Sequence, residues 1–226
     1  VILLHTFSGP GIPEHTLAHL LANAGFAVFM PQMPHYGMRG GGGLWAPLTL
    51  ASQKPEDIRL FYLQAAGDTR RARQVLLSME EIDTRRVMVA GISMGCAVAI
   101  LAGAPEPKAF ERYAFVLGGG PVEDILWFST LGKPWKAAME RSGADFKAVQ
   151  TALEPVNILR YAPRLADRRV FMVNARGDVT VPERLSENLH VALDRPTQKW
   201  YDTTHYGMMF EILPVSQDLI SFFRAR

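Results

Sequence analysis

The sequence predicts an α/β protein: a mostly parallel central sheet of about six or more strands with helices on both faces. Three observations carry this. Short apolar runs alternate with helical stretches of ten or more residues along the chain. Runs such as Val87–Ala90 are apolar throughout, as in strands covered on both faces. The length, 226 residues, suits one well-buried core better than two. Alternation of this kind indicates βαβ units with right-handed crossovers.

The elements follow in order. Val1–Leu4 is a short strand ending at His5, and Gly9–Pro13 is a loop. Pro13 and Glu14 open a helix with Leu17, Leu20, Leu21 and Ala24 at helical spacing, stopped by Gly25. Phe26–Met30 is a second strand, ended by Pro31 and Pro34. Residues 32–54 hold Gly40–Gly43 and Pro47 and read as a long loop. Pro55 begins the longest helix, expected to run to about Glu80, with Glu56 and Asp57 in its first turn. Arg86–Ala90 is a third strand and Ser93–Ala104 a helix of small residues. Tyr113–Leu117 is a fourth strand, followed by Gly118–Pro121. Val170–Val173 is a fifth strand, Val181–Leu193 a helix and Lys199–Tyr201 a sixth strand. His205–Phe223 is a terminal segment interrupted by Pro214.

In such sheets ligands bind beyond the carboxyl ends of the strands, so the residues after each strand matter most. After the third strand stands Gly91–Ile92–Ser93–Met94–Gly95, a G-x-S-x-G turn between strand and helix. Such a tight turn demands glycine at its flanks and presents Ser93 at the top of the sheet. The Met94 amide then stands at a helix N-terminus, suited to a developing oxyanion. A serine nucleophile needs a base, and the base needs an orienting acid. Asp178 follows the fifth strand and His205 the sixth, so the chain order is Ser93, Asp178, His205.

This order and the Gly91–Gly95 turn resemble the α/β-hydrolase superfamily of serine hydrolases. The likeness is to its compact esterase and lipase, dienelactone-hydrolase-like or peptidase-like branches, here with a serine nucleophile. The resemblance spans nearly the whole chain from His5. It implies that Ser93 is the nucleophile, His205 the general base and then acid, and Asp178 the residue that orients His205. His5–Thr6–Phe7–Ser8–Gly9 resembles the segment that supplies the second oxyanion donor, which implies the Phe7 amide beside that of Met94. Thr6 stands where the family usually has glycine. The family's leading antiparallel strands would precede Val1.

Asp124, which follows the fourth strand, is an alternative acid, whereas Asp202 precedes His205 too closely to turn back on its ring easily. Residues 121–165 fall where the superfamily inserts a cap, so the expectation is one domain over 1–226 with a small cap there. In the cap, Trp127, Phe128, Leu131 and Trp135 either wall a substrate pocket or pack the cap onto the core. Tyr206 is a further pocket candidate beside His205. His15 and His19 are spaced i, i+4 but lack a third metal ligand and read as a solvated face. His5 reads as a brace for the loop it opens, and His35 as either pocket rim or structure.

The implied activity is cleavage of a small-molecule carboxylic ester, with no cofactor and no metal. The alternatives are a peptidase or amidase on the same triad, and a non-catalytic binding scaffold. A net charge of +2 lacks the basic excess of nucleic-acid binders. No apolar run reaches the ~18–20 residues of a membrane span. The lone Cys96 excludes an internal disulfide and reads as packing. The chain opens on Val1 inside an apolar run with no signal-peptide pattern. The expectation is therefore a cytoplasmic protein with further residues ahead of Val1.

Overall fold

The computed structural model describes residues 1–39 and 54–225, so Gly40–Gly43 and Pro47 lie outside the described residues. Its centre is a sheet of five parallel strands arranged side by side in chain order. They are β1 (Ile2–Leu4), β2 (Val89–Ile92), β3 (Arg112–Val116), β4 (Arg169–Ala175) and β5 (Thr197–Tyr201).

The expected strand at Phe26–Met30 is corrected to a single parallel bridge between Phe29 and Ile2. Its two backbone bonds run from Leu3 N to Phe29 O and from Phe29 N to Val1 O, both 2.9 Å. Pro31 follows directly and has no N–H to extend the ladder. This correction has a topological consequence. The chain passes from β1 outward to Phe29, then returns to lay β2 along β1 as well. Growth of the sheet reverses there, and the carboxyl ends of β1 and β2 flank the crevice of a topological switch point.

Successive strand residues face opposite sides of the sheet. Leu3, Ala90, Ala114 and Val173 pack with Leu17 and Leu21 of α1 (Ile12–Asn23) and with Leu219 and Phe223 of α9 (Ile212–Arg224). Ile2, Leu4, Val89 and Phe115 pack on the other face. Their partners are α2 (Pro55–Leu77), α3 (Met94–Gly103) and α8 (Glu183–Ala192). Every residue of α3 from Gly95 to Gly103 is buried, as befits a helix apolar all round.

Between β3 and β4 lie α4 (Val122–Phe128), α5 (Lys133–Arg141), α6 (Phe146–Leu153) and α7 (Ile158–Tyr161). Their buried residues, among them Val149, Leu153 and Ile158, join the same core as α2 and α3.

Several boundaries move for local reasons. Residues Thr84–Arg86 are drawn into a 3-10 turn, with Asp83 Oδ1 accepting from Arg85 N at 3.1 Å, so β2 starts later than expected. The α2 helix ends at Leu77, where Ser78 Oγ donates to Val75 O. The α8 helix starts at Glu183 because the Thr180 and Val181 amides bond the Asp178 side chain instead. Pro214 sits in the first turn of α9, where an amide would have no helical partner anyway. Among the described residues no helix is long and apolar enough to cross a membrane.

Candidate active site

Ser93 stands between β2 and α3 with φ 53° and ψ −113°, a conformation that costs a non-glycine residue about 1–3 kcal/mol. The surrounding contacts impose it. Ser93 N donates to Val116 O at 2.7 Å on the neighbouring strand. A Cβ on Gly91 would fall 2.4 Å from the Gly95 carbonyl, and one on Gly95 would fall 2.4 Å from Leu4 O. The glycines are therefore sterically required. Met94 begins α3, so its amide is one of the helix's unpaired N-terminal donors.

His205 Nδ1 lies 2.7 Å from Asp178 Oδ2, and both side chains are almost wholly buried. The other carboxylate oxygen, Oδ1, accepts from Thr180 N at 2.8 Å and Val181 N at 2.7 Å. The carboxylate is thus fixed by two backbone donors and aimed at the imidazole. With Nδ1 as donor, the neutral ring leaves Nε2 as its acceptor. The competing acids are engaged elsewhere. Asp124 Oδ2 pairs with Arg184 at 3.5 Å, and the exposed Asp202 pairs with Arg176 at 3.4 Å.

The loop after β1 is held from four directions. Thr6 O accepts from Gly9 N at 3.1 Å and lies 2.8 Å from His5 Nδ1. The Thr6–Phe7 peptide is planar, so fixing that carbonyl also fixes the opposite direction of the Phe7 N–H. Tyr36 OH donates to Phe7 O at 2.6 Å. Glu14, buried in the first turn of α1, accepts from Thr6 N at 3.2 Å and Gly11 N at 3.0 Å. The positive φ in this turn falls on Gly9 at 88°, which spares Thr6.

His5 is fully buried, and its Nε2 accepts from Met33 N at 3.2 Å. Burial holds its pKa below the ordinary value, outweighing the Thr6 carbonyl and the Glu14 charge, which act the other way. It is a brace, as expected.

Two hollows open at Ser93. One is lined by Ile58, Phe61, Tyr62, Ile125, Leu126 and the Phe7–Tyr36 wall. The other holds His205 and Tyr206 and runs along Ile12, Met209 and Ile212. His35 lines the first hollow, stacked on Phe61.

The three cap aromatics are corrected: neither hollow is lined by Trp127, Phe128 or Trp135. Trp135 is fully buried, with Trp127 edge-on at 6.4 Å. Phe128 turns outward against Phe146 and the Arg184 guanidinium. Residues 121–165 present aliphatic Val122, Ile125 and Leu126 to the first hollow instead, and Leu131 lines both hollows. Cys96 is buried one turn past Ser93, its thiol bonded to Gly91 O and pushed up in pKa by burial. Among the described residues no group of three or more His, Cys, Asp or Glu is placed to hold a metal.

A profile of the acetyl xylan esterase family matches residues 53–116, the stretch from α2 to β3 that contains the Ser93 turn. Esterase YjfP of Escherichia coli K12 is 24% identical over 99% of this chain and 87% of its own length. An acetyl xylan esterase from Paenibacillus sp. R4 superposes with a TM-score of 0.70 at 21% identity, over 97% of this chain and 73% of its own. A puromycin-hydrolyzing peptidase of Mycobacterium tuberculosis gives a TM-score of 0.71 at 17% identity, over 98% of this chain but 34% of its own.

The chain has the α/β-hydrolase fold.

Two residues of the candidate site escape sequence reasoning. Glu14 reads only as a first-turn acid favoured by the helix dipole. Tyr36 reads only as part of a turn. Both act on backbone groups brought to them by chain reversal, and no spacing rule reports that.

Proposed function

We propose that this α/β-hydrolase cleaves carboxylic esters through an acyl-enzyme on Ser93. The observation that carries the reading is the buried His205–Asp178 bond of 2.7 Å beside a hollow that also contains Ser93. The acetyl xylan esterase profile and the esterase relative support the same reaction class.

In this reading His205 Nε2 takes the proton of Ser93 Oγ as that oxygen bonds to the ester carbonyl carbon. The carbonyl oxygen becomes an oxyanion held by the Met94 and Phe7 amides, whose directions are fixed by the helix start and by the Thr6 carbonyl's bonds. His205 then gives its proton to the alcohol oxygen, and the carbon–oxygen bond to the alcohol breaks. Water, deprotonated by His205, attacks the acyl carbon and returns Ser93 as a hydroxyl. Asp178 keeps Nδ1 protonated throughout and stabilises the imidazolium. We read residues 121–165 as a small cap that supplies aliphatic cover and no reacting group.

A fluorophosphonate probe tests this. It should label the wild type at Ser93 and block hydrolysis of p-nitrophenyl esters. Labelling that persists in Ser93→Ala would overturn the assignment. Faster turnover of aminoacyl anilides than of matched esters would favour the amidase reading instead.

A further inference from the structure

We propose that the two hollows divide the ester between them, with the acyl group in the Ile58–Leu126 hollow and the alcohol in the Ile12–Ile212 groove. The preferred substrate is then a neutral ester apolar on both sides of its carboxyl bond, with an acyl chain of medium length. This inference rests on the reading of Ser93 and His205 given above. It departs from what the acetyl xylan esterase likeness would suggest.

The division follows from where the proton must go. The leaving alcohol oxygen receives its proton from His205, so the alcohol lies on the His205 side of Ser93. Of the two hollows, the groove contains His205 and the first hollow does not. The acyl group, which stays on Ser93 while the alcohol departs, takes the other side.

Chemistry of the walls sets the class. In the acyl hollow Ile58, Phe61, Ile125 and Leu126 offer carbon only, while its ionisable residues, His35 and Asp57, are exposed and Asp57 accepts from Lys54 N at 3.1 Å. Its phenols are spoken for or sunk: Tyr36 OH bonds Phe7 O, and Tyr62 is buried. An acetyl group would leave that apolar surface wet. The hollow holds ≈ 120 Å³, room for about four groups at ~30 Å³ each.

The groove is also apolar along Ile12, Leu131, Met209 and Ile212. Its one carboxylate, Glu14, has both oxygens engaged by the Thr6 and Gly11 amides. Ser8 and His15 are exposed at its surface. A sugar needs several fixed donors and acceptors for its hydroxyls, and an anionic alcohol needs a fixed cation; among the described lining residues neither set is present.

The test is a pair of ester series on the purified wild type. One varies the acyl chain from acetate to decanoate on p-nitrophenol. The other varies the alcohol from methanol to hexanol on hexanoate, with acetylated xylo-oligosaccharide alongside. Each buried methylene should raise kcat/KM by up to about fourfold. The expected acyl profile climbs at least tenfold from acetate to hexanoate and falls by octanoate. Hexyl hexanoate should exceed methyl hexanoate.

Two variants assign the sides. Ile125→Trp should cut the hexanoate-to-acetate ratio at least tenfold, and Met209→Asp should cut the hexyl-to-methyl ratio. A flat or falling acyl profile, or fastest turnover of the acetylated oligosaccharide, would overturn the substrate class. Variants acting on each other's series would overturn the division. The wild-type profiles decide the class even where a variant fails to fold. If no ester is turned over faster than by Ser93→Ala, the reading of function itself fails, and this inference with it.

Discussion

Replacing Glu14 by glutamine separates what this buried carboxylate does for stability from what it does for the loop proposed to hold the oxyanion. Glu14 Oε1 accepts from Thr6 N at 3.2 Å and Oε2 from Gly11 N at 3.0 Å, and the residue is 2% exposed. Glutamine keeps the shape but converts one oxygen to an amide that donates. One backbone N–H then faces another donor, and the remaining bond loses its charge assistance. A hydrogen bond to a charged group is worth about 1.5–3 kcal/mol, and an orphaned buried donor costs about 1–3 kcal/mol. These overlap, so the expected loss is about 2–3 kcal/mol. For a chain of this length that lowers Tm by roughly 4–12 °C.

The kinetic consequence is distinct. Releasing the Thr6 amide loosens the segment that carries the Phe7 N–H. Outright loss of an oxyanion donor costs about 10²–10³ in kcat. A donor displaced but still tethered by Tyr36 and Gly9 should cost about tenfold, with KM within about twofold. The assay is thermal denaturation alongside kcat and KM on p-nitrophenyl hexanoate. Glu183→Gln is the control, since Glu183 is an exposed first-turn acid paired loosely with Arg176 at 3.9 Å. It should move stability by less than about 0.5 kcal/mol. If Glu14→Gln lowers Tm but leaves kcat within twofold, Glu14 only fastens α1 and the coupling to the loop is refuted.

Three further outcomes are expected. Asp178→Asn should lower kcat by about 10⁴, because Asn spends its oxygen on Thr180 and Val181 and turns an NH₂ toward His205 Nδ1; Asp124→Asn should stay within twofold, and the reverse pattern in steady-state kinetics would name the wrong acid. Gly95→Ala puts a Cβ 2.4 Å from Leu4 O, where backbone cannot yield cheaply, and should cost at least about 3 kcal/mol in urea unfolding; a stable, active variant would contradict the contact. Burial holds His5 below its ordinary 6.5, so the unfolded chain binds the proton first as pH falls, and the stability this contributes above pH 6.5 is lost below it. Urea midpoints between pH 7.5 and 5.5 should therefore drop less in His5→Gln than in the wild type, and an equal drop would refute the assignment.

The features legible in sequence were those written into short stretches. The Gly91–Gly95 turn specifies itself, because its glycines answer clashes within five residues and with the adjoining strand. Asp178 and His205 were legible because each follows a strand in a fixed order. The Phe26–Met30 strand was misjudged because pairing is a long-range property, and β1 offers it only one bridge before Pro31. The α8 start was misjudged by two residues because the Asp178 carboxylate competes for the amides that would have begun the helix. Trp127, Phe128 and Trp135 were ambiguous because an aromatic ring suits a pocket wall and a packed cap equally. Trp135 and Met139 stand four apart and are both buried, so a closer look at α5 points its apolar stripe inward.

Gly95 joins these threads into one reason for the site's position. It stands in the first turn of α3 on β2's side of the crevice, and the space its missing side chain leaves is filled by the Leu4 and His5 carbonyls at the end of β1. Those two carbonyls lead directly into the Thr6–Phe7 peptide. The strand that carries Ser93 and the strand that carries the Phe7 amide are therefore set against each other by direct backbone contact, with no side chain between to flex. They are neighbours because the sheet reverses its growth between them. Growth in one direction would instead place the Phe29 segment between β1 and β2, and so between the two amides proposed to share one oxyanion. The same reversal opens the crevice in which the two apolar hollows meet at Ser93.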